Sequence, residues 1–269
     1  MKYTLALNSH QLSNFQLCET KYLYSELIRI QPIEMGLGIR KGNILGRWLN
    51  LYYYNKIKPR TSFGRVLYNP MLWIELIKKE LNWGPQDAFK LYAVLTRYGT
   101  EYKNESWHPV AIEKGFSKIL YEDAENLFVY EGRIDLLVEN EGKLLVVDHK
   151  SQKMNYSIYE FNNQAIGYLW GCDAAEFVYN YLTLTKDPKF HRAVHPFNSG
   201  QIEAWKQNTI KWFFRVKEVL QKREFLPSLN CSTKFGVCDF HRICEQPNEL
   251  VKLHIIRSNF KKKIYKGSW

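Results

Sequence analysis

The feature that most narrows the fold of this chain is a pair of strand-like runs, 127–139 and 143–150, joined by Asn140-Glu141-Gly142. Both runs are rich in Val, Leu, Ile, Tyr and Phe, and the Asn-Glu-Gly between them is turn chemistry. A turn centred between Glu141 and Gly142 sets Asp135 directly opposite Asp148 on antiparallel strands. Facing Cβ atoms in such a ladder stand ~5 Å apart, where like charges are destabilising. Something positive therefore belongs between them. Strand side chains alternate, so Lys150 shares the face of Asp148 while His149 points the other way. Leu144, Leu145, Val146 and Val147 are apolar on both faces, as in a central strand. Charges at the end of such a strand are costly unless they are paired or bound to metal.

Two carboxylates and a lysine on one strand face suit metal-dependent phosphodiester cleavage. Mg²⁺ and Mn²⁺ prefer hard oxygen ligands, and Mg²⁺ takes only one or two carboxylates, leaving sites for water and phosphate. A bound divalent ion acidifies its water, and a neighbouring ammonium orients the nucleophile or stabilises developing charge. The plain alternative is a surface hairpin with a solvent-screened Asp–Lys pair. The net charge of +11 favours a polyanionic partner, with nucleic acid leading because phosphate neutralisation releases counterions. No secretory signal and no apolar run long enough to span a bilayer is visible, so a cytoplasmic, reducing location is expected and no membrane partner. In that setting the five cysteines are not a disulfide framework.

The first hundred residues read mostly as helices. Leu12, Phe15, Cys18, Tyr22 and Leu23 recur at helical spacing, as do Ile44, Leu45, Trp48, Leu49 and Tyr52. Asn69-Pro70 and Gly84-Pro85 read as helix starts. Strands are expected at 109–120, 127–139 and 143–150, then a helix announced by the capping-box pattern Ser157 to Glu160, then a strand at 176–186. Ile202, Trp205, Trp212, Phe213, Val216 and Val219 mark a long amphipathic helix, and Lys261–Lys263 through Lys266 read as a solvated basic tail. The expected organisation is a single domain over 1–269. It comprises a helical elaboration at 1–105, a catalytic core at 106–195, a helix with a cysteine cluster at 196–247 and a tail at 248–269.

The α-β-β-β-α-β order carries Gly132-Arg133-Ile134-Asp135, Asp148-His149-Lys150, and Gln164 four residues before Tyr168. In this the chain resembles the PD-(D/E)xK nuclease superfamily, and within it the RecB-like branch that includes the CRISPR adaptation nucleases and many phage-encoded relatives. That branch carries G-x-x-D, D/E-x-K and Q-x-x-x-Y in this order, and the resemblance spans nearly the whole chain. It implies an α/β fold with a restriction-endonuclease-like core, a central mixed sheet flanked by helices. It also implies hydrolysis of DNA, exonuclease-like, on single strands or ends. Asp135, Asp148 and the main-chain carbonyl of His149 would hold Mg²⁺ or Mn²⁺, with Lys150 at the attacking water and Gln164 and Tyr168 aligning the scissile strand.

Gln164 and Tyr168 share one helix face. Phe161, Ala165 and Tyr168 also form a buried-looking stripe, so simple core packing is the competing account, although a buried amide then needs partners. Glu113 on the first strand would complete the metal shell by resemblance; a solvent-exposed strand glutamate is the alternative. The branch often has G-x-x-x-H in an early helix. The matching stretch here runs from Gly42 to Gly46, so a glycine stands where histidine would ligate metal. That departure raises a second function, an inactive nuclease fold that binds DNA; a third reading is a subunit whose activity needs a helicase, recombination or integrase partner.

Cys231-x6-Cys238-x5-Cys244 is a compact cluster, and Cys18 lies far upstream in an aromatic segment. This resembles the iron–sulfur members of the branch, in which one N-terminal cysteine joins three near the C-terminus around a [4Fe–4S] cluster. Zn²⁺ is the rival, though the spacing lacks the C-x-x-C pairs of zinc ribbons. Cys172 falls outside the pattern and reads as a small buried hydrophobe.

Overall fold

At the turn both central residues have positive φ, 53° at Glu141 and 76° at Gly142, the conformation whose twist matches the strands of a tight hairpin. The ladder then pairs Leu136 with Val147, Leu137 with Val146 and Val138 with Leu145. This is the register read from the letters. The structure, a computed structural model, describes residues 2–33, 37–58, 71, 73–75, 84–151, 163–228, 231–233 and 236–263.

In chain order the described elements begin with β1 (Tyr3–Asn8), α1 (Ser9–Leu17), α2 (Glu19–Tyr22), a π-helical turn (Leu23–Leu27) and β2 (Ile30–Pro32). They continue with α3 (Leu37–Ile57), α4 (Pro85–Glu101), β3 (His108–Glu122), β4 (Asn126–Asn140), β5 (Lys143–Ser151) and α5 (Asn163–Gly171). β6 (Glu176–Leu182), β7 (Phe190–Pro196), α6 (Ser199–Lys222), β8 (Ser232–Thr233) and β9 (Gly236–Val237) follow. The last are α7 (His241–Cys244), α8 (Glu249–Asn259) and β10 (Phe260–Lys262). The chain divides into a sheet unit, Leu37–Lys118 with Tyr130–Lys206, and a terminal unit, Met1–Gly36 with Ile119–Val129 and Gln207–Trp269.

In the sheet unit β3 pairs with β4, β4 with β5 antiparallel, β5 with β6 parallel, and β6 with β7 antiparallel, so the sheet is mixed. β5 is buried on both faces, as its continuous Leu-Leu-Val-Val run requires. On one face Leu145 and Val147 pack with Leu49, Tyr53, Leu91 and Tyr98 of α3 and α4. On the other, Val146 packs with Ala165, Tyr168 and Leu169 of α5. The sheet is thus covered by helices on both sides.

Behind β5 runs a buried polar chain. Asn180 Nδ2 donates to Tyr98 Oη at 2.8 Å, and the Tyr98 and Tyr53 hydroxyls share a hydrogen bond of 2.7 Å. Arg192 reaches Tyr53 at 3.2 Å, pairs with Glu105, and lies 3.4 Å over the Trp107 ring and 3.8 Å over Tyr102. Lys56 meets the other side of Glu105 at 2.6 Å.

The terminal unit gathers the two chain ends. Asn8 and Gln11 form a reciprocal capping box that starts α1. α6 buries Phe213, Val216 and Val219 there, with Phe213 5.3 Å from the Phe128 ring.

Three expectations change. The opening segment is not helical from its start, because Leu5 and Leu7 alternate inward and make β1. The strand from 176 ends at Leu182, and the chain turns back through β7. The basic tail is not solvated throughout. Phe260–Lys262 pairs with Ile30–Pro32, Phe260 stacks on Phe240, and Lys263 reaches buried Glu26 at 3.3 Å. Lys261 and Lys262 themselves stay exposed, with carbonyls of Ile33 and Ile28 accepting from them. Asn69-Pro70, Ser157 to Glu160, Phe161 and Lys266 lie outside the described residues.

Arg192→Ala leaves Glu105 buried with only Lys56 opposite it, and should cost about 3–5 kcal/mol of unfolding free energy in urea titration. A loss under about 1 kcal/mol would show the network to be energetically idle.

Candidate active site

The site forms where the β4–β5 ladder ends. Asp135 lies one residue beyond the last ladder pair, and its Oδ2 accepts the main-chain N–H of His149 at 2.9 Å. Asp148 is 4% exposed, with Lys150 Nζ 2.6 Å from its Oδ2. Asp148 and Lys150 follow Val146 on the face covered by α5. Tyr168 of α5 lies near enough to Lys150 to act on it electrostatically. The helix motif and the strand motif therefore face each other.

Gly132 explains how the aromatic rings come so near. A Cβ there would lie 2.5 Å from the Phe116 ring and 2.8 Å from Tyr168, so no larger residue fits without displacing both. Gly167 on α5 is bare for the same reason, since its Cβ would lie 2.2 Å from Tyr130 Oη. Gln164 stands one turn before Tyr168 and is half-buried.

Burial pushes the Asp148 carboxyl up to about 6, aided by the Asp135 charge and opposed by Lys150. Burial also raises Asp135, against the His149 N–H, Lys150 and Arg133. For Lys150 burial acts downward, but Asp148, Asp135 and Tyr168 outweigh it and the ammonium is held above its ordinary range. The pair thus carries more negative charge than one lysine compensates, the condition a cation relieves.

His149 turns away, as alternation requires. Its Nδ1 is 2.9 Å from Asn180 Nδ2, its ring stacks on Tyr53 at 5.8 Å, and burial drops its pKa to about 3. Only its main chain is left for the site. The buried polar chain behind β5, from Asn180 to Arg192, carries no short-range sequence signal, because its members come from four separate elements and Glu105.

Glu113 has both oxygens engaged, by Asn50 Nδ2 at 2.7 Å and Arg133 Nε at 3.1 Å. Gly42 of α3 lies against the end of β5, where its Cβ would be 3.1 Å from Ser151 Oγ. A Cβ at Gly46 would meet nothing within 4 Å. His10 lies in the terminal unit, hydrogen-bonded to Asn14 and 3.6 Å from Glu26, and His108 is exposed at the start of β3. Among the described residues no group of three or more His, Cys, Asp or Glu stands at metal-binding spacing.

The four cysteines of the pattern all lie in the terminal unit. Cys18 Sγ accepts from Lys21 and Ser228 main-chain N–H groups at 3.4 and 3.3 Å. The β8–β9 hairpin closes with Cys238 N donating to Cys231 O at 2.8 Å. Burial, then the neighbouring Cys18, Cys238 and Cys231, push the Cys244 thiol up to about 11. Cys172 packs in the sheet unit instead.

The raised carboxyls set a pH-dependent cost. Protonated Asp135 and Asp148 suit the fold, so their contribution is full below the ordinary carboxylate range and is lost as pH rises through about 6. Asp135→Asn keeps an acceptor for His149 N–H and leaves Lys150 its Asp148. In chelator at pH 8 it should stabilise the protein by about 1 kcal/mol, with the gain shrinking below pH 6. Thermal unfolding at both pH values checks this, and a destabilised variant at pH 8 would contradict it.

No curated protein matches the chain significantly. Among solved structures, a candidate exonuclease from Eubacterium rectale is 12% identical, with 92% of each chain covered and a TM-score of 0.52, a likeness of fold. The structure of SSO0001 is 13% identical over 78% of each chain, with a TM-score of 0.35. The sequence model of the PD-(D/E)XK nuclease superfamily matches residues 6–245, through β4, β5 and α5, and the chain belongs to that superfamily.

Proposed function

We propose that this protein is a metal-dependent DNA nuclease that hydrolyses phosphodiester bonds at single strands or DNA ends. The observation that carries the reading is the buried Asp135–Asp148 pair, raised in pKa and only partly offset by Lys150, at a strand end facing Tyr168. Asp135, Asp148 and the His149 carbonyl would hold Mg²⁺ or Mn²⁺, which when bound supplies charge neutralisation and an acidified water. Lys150, paired with Asp148, would position or activate the attacking water or contact a phosphate oxygen. Tyr168 and Gln164 align the strand from α5. The charge of +11 supports a nucleic-acid substrate. Among the described residues no helix is long and apolar enough to cross a membrane.

Lys150→Ala or Asp148→Ala should abolish cleavage of labelled DNA in Mg²⁺ or Mn²⁺ while circular dichroism stays parental. Equal activity in mutant and parent would refute the assignments. Gly46, with open space where the branch carries histidine, favours a second reading: an inactive fold that binds DNA, alone or beside a helicase or integrase partner. That reading expects salt-dependent binding and no cleavage in either metal.

We also propose that Cys18, Cys231, Cys238 and Cys244 hold a [4Fe–4S] cluster. All five cysteines are free thiols, and the four are near enough for Cys244 to feel the other three. Anaerobic purification should give brown protein with broad visible absorption that is lost in Cys18→Ala. Colourless protein with stoichiometric Zn²⁺ would overturn the cluster.

A further inference from the structure

Glu113 interrupts β3. Ala111 and Phe116 both pack against the core cluster that contains Val146 and Tyr168, and Ile112 against the opposite one. Ala111 and Phe116 are an odd number of residues apart, which strict alternation places on opposite faces. One extra residue must intervene, and Glu113, at φ 50°, is the left-handed residue in that stretch. A non-glycine residue in this conformation is strained and persists only when its surroundings hold it. What holds Glu113 is Asn50 on one carboxylate oxygen and Arg133 Nε on the other.

An exposed ion pair contributes little stability, less than a left-handed glutamate costs. Here the side chains of Arg133 and Glu113 are 58% and 43% exposed. The bulge therefore calls for another reason. Arg133 stands two residues before Asp135 on β4, near enough that its charge opposes the rise at that carboxyl. Glu113 takes the Nε edge of the guanidinium. Among the described residues no other acid pairs with Arg133, so its terminal nitrogens remain available as a fork for a phosphate.

We propose that Arg133 contacts a backbone phosphate of the nucleic acid beside the Asp135–Asp148 centre, and that the bulged Glu113, braced by Asn50, is the positioning residue that aims it. This rests on the nuclease reading above and gives Glu113 a role other than metal ligation.

The test is equilibrium binding of a fluorescein-labelled single-stranded oligonucleotide, by anisotropy in chelator over a range of salt. Arg133→Ala should bind about tenfold more weakly, with the log affinity–log salt slope shallower by about 0.7. Arg133→Lys should keep the slope and recover part of the affinity, because it retains charge without the fork. Glu113→Gln should weaken binding in the same direction. Calorimetry with Mn²⁺ alone should show that Arg133→Ala and Glu113→Gln both still bind the ion. Parental affinity and slope in Arg133→Ala would overturn the proposal, as would loss of Mn²⁺ binding in Glu113→Gln. Failure of the nuclease reading shows separately, as absent cleavage by the parent protein, and leaves these binding curves readable.

Discussion

Two aspartates face each other across the end of a buried antiparallel ladder, and the rest of the sheet unit is arranged around that conflict. Neither carboxylate is stable there alone. The His149 N–H takes one oxygen of Asp135, and Lys150 takes one of Asp148. The compensation is incomplete, since both carboxyls are still raised above their ordinary range. A low-dielectric site with surplus negative charge binds a hard cation for the same reason that it destabilises the empty fold. Stability and function are opposed at this point in the chain, and the cost is borne by packing elsewhere.

That packing is specific. β5 is covered on both faces, so its register cannot slip without turning Asp148 and Lys150 toward the opposite core. Behind it, the His149 ring is fixed by Asn180 and Tyr53, and through Tyr98 by the Arg192–Glu105 pair. In front, bare backbone at Gly132 and Gly167 lets Phe116, Tyr130 and Tyr168 approach the sheet. The terminal unit gathers Cys18 with Cys231, Cys238 and Cys244 from the two ends of the sequence.

Much of the central hairpin was legible because its signals are local. The turn residues set the register, and the four apolar residues before Asp148 mark a strand buried on both sides. Gln164 and Tyr168 were legible as one helix face, though nothing short of the fold shows that Tyr168 packs on the Val146 face of the sheet. Where long-range contacts decide, the letters are silent. β1 is six residues long and its alternation is brief. β10 becomes a strand only because β2 is there to pair with it. The bulge at Glu113 shows in a face change between Ala111 and Phe116 that no periodicity of β3 itself reveals. Nothing local marks Asn180 or Arg192 until Tyr98, Tyr53 and Glu105 are placed beside them.

The central claim is that the buried acid pair is a cation site whose carboxyls must lose protons when the ion binds. Calorimetric titration of Mn²⁺ in buffers of different ionisation enthalpy measures that proton count directly. The account predicts release of on the order of half a proton per ion at pH 6, falling toward none at pH 8, because Asp148 titrates at about 6. Binding without proton release at pH 6, or an undiminished response when Asp135 and Asp148 are both replaced by Asn, would contradict it.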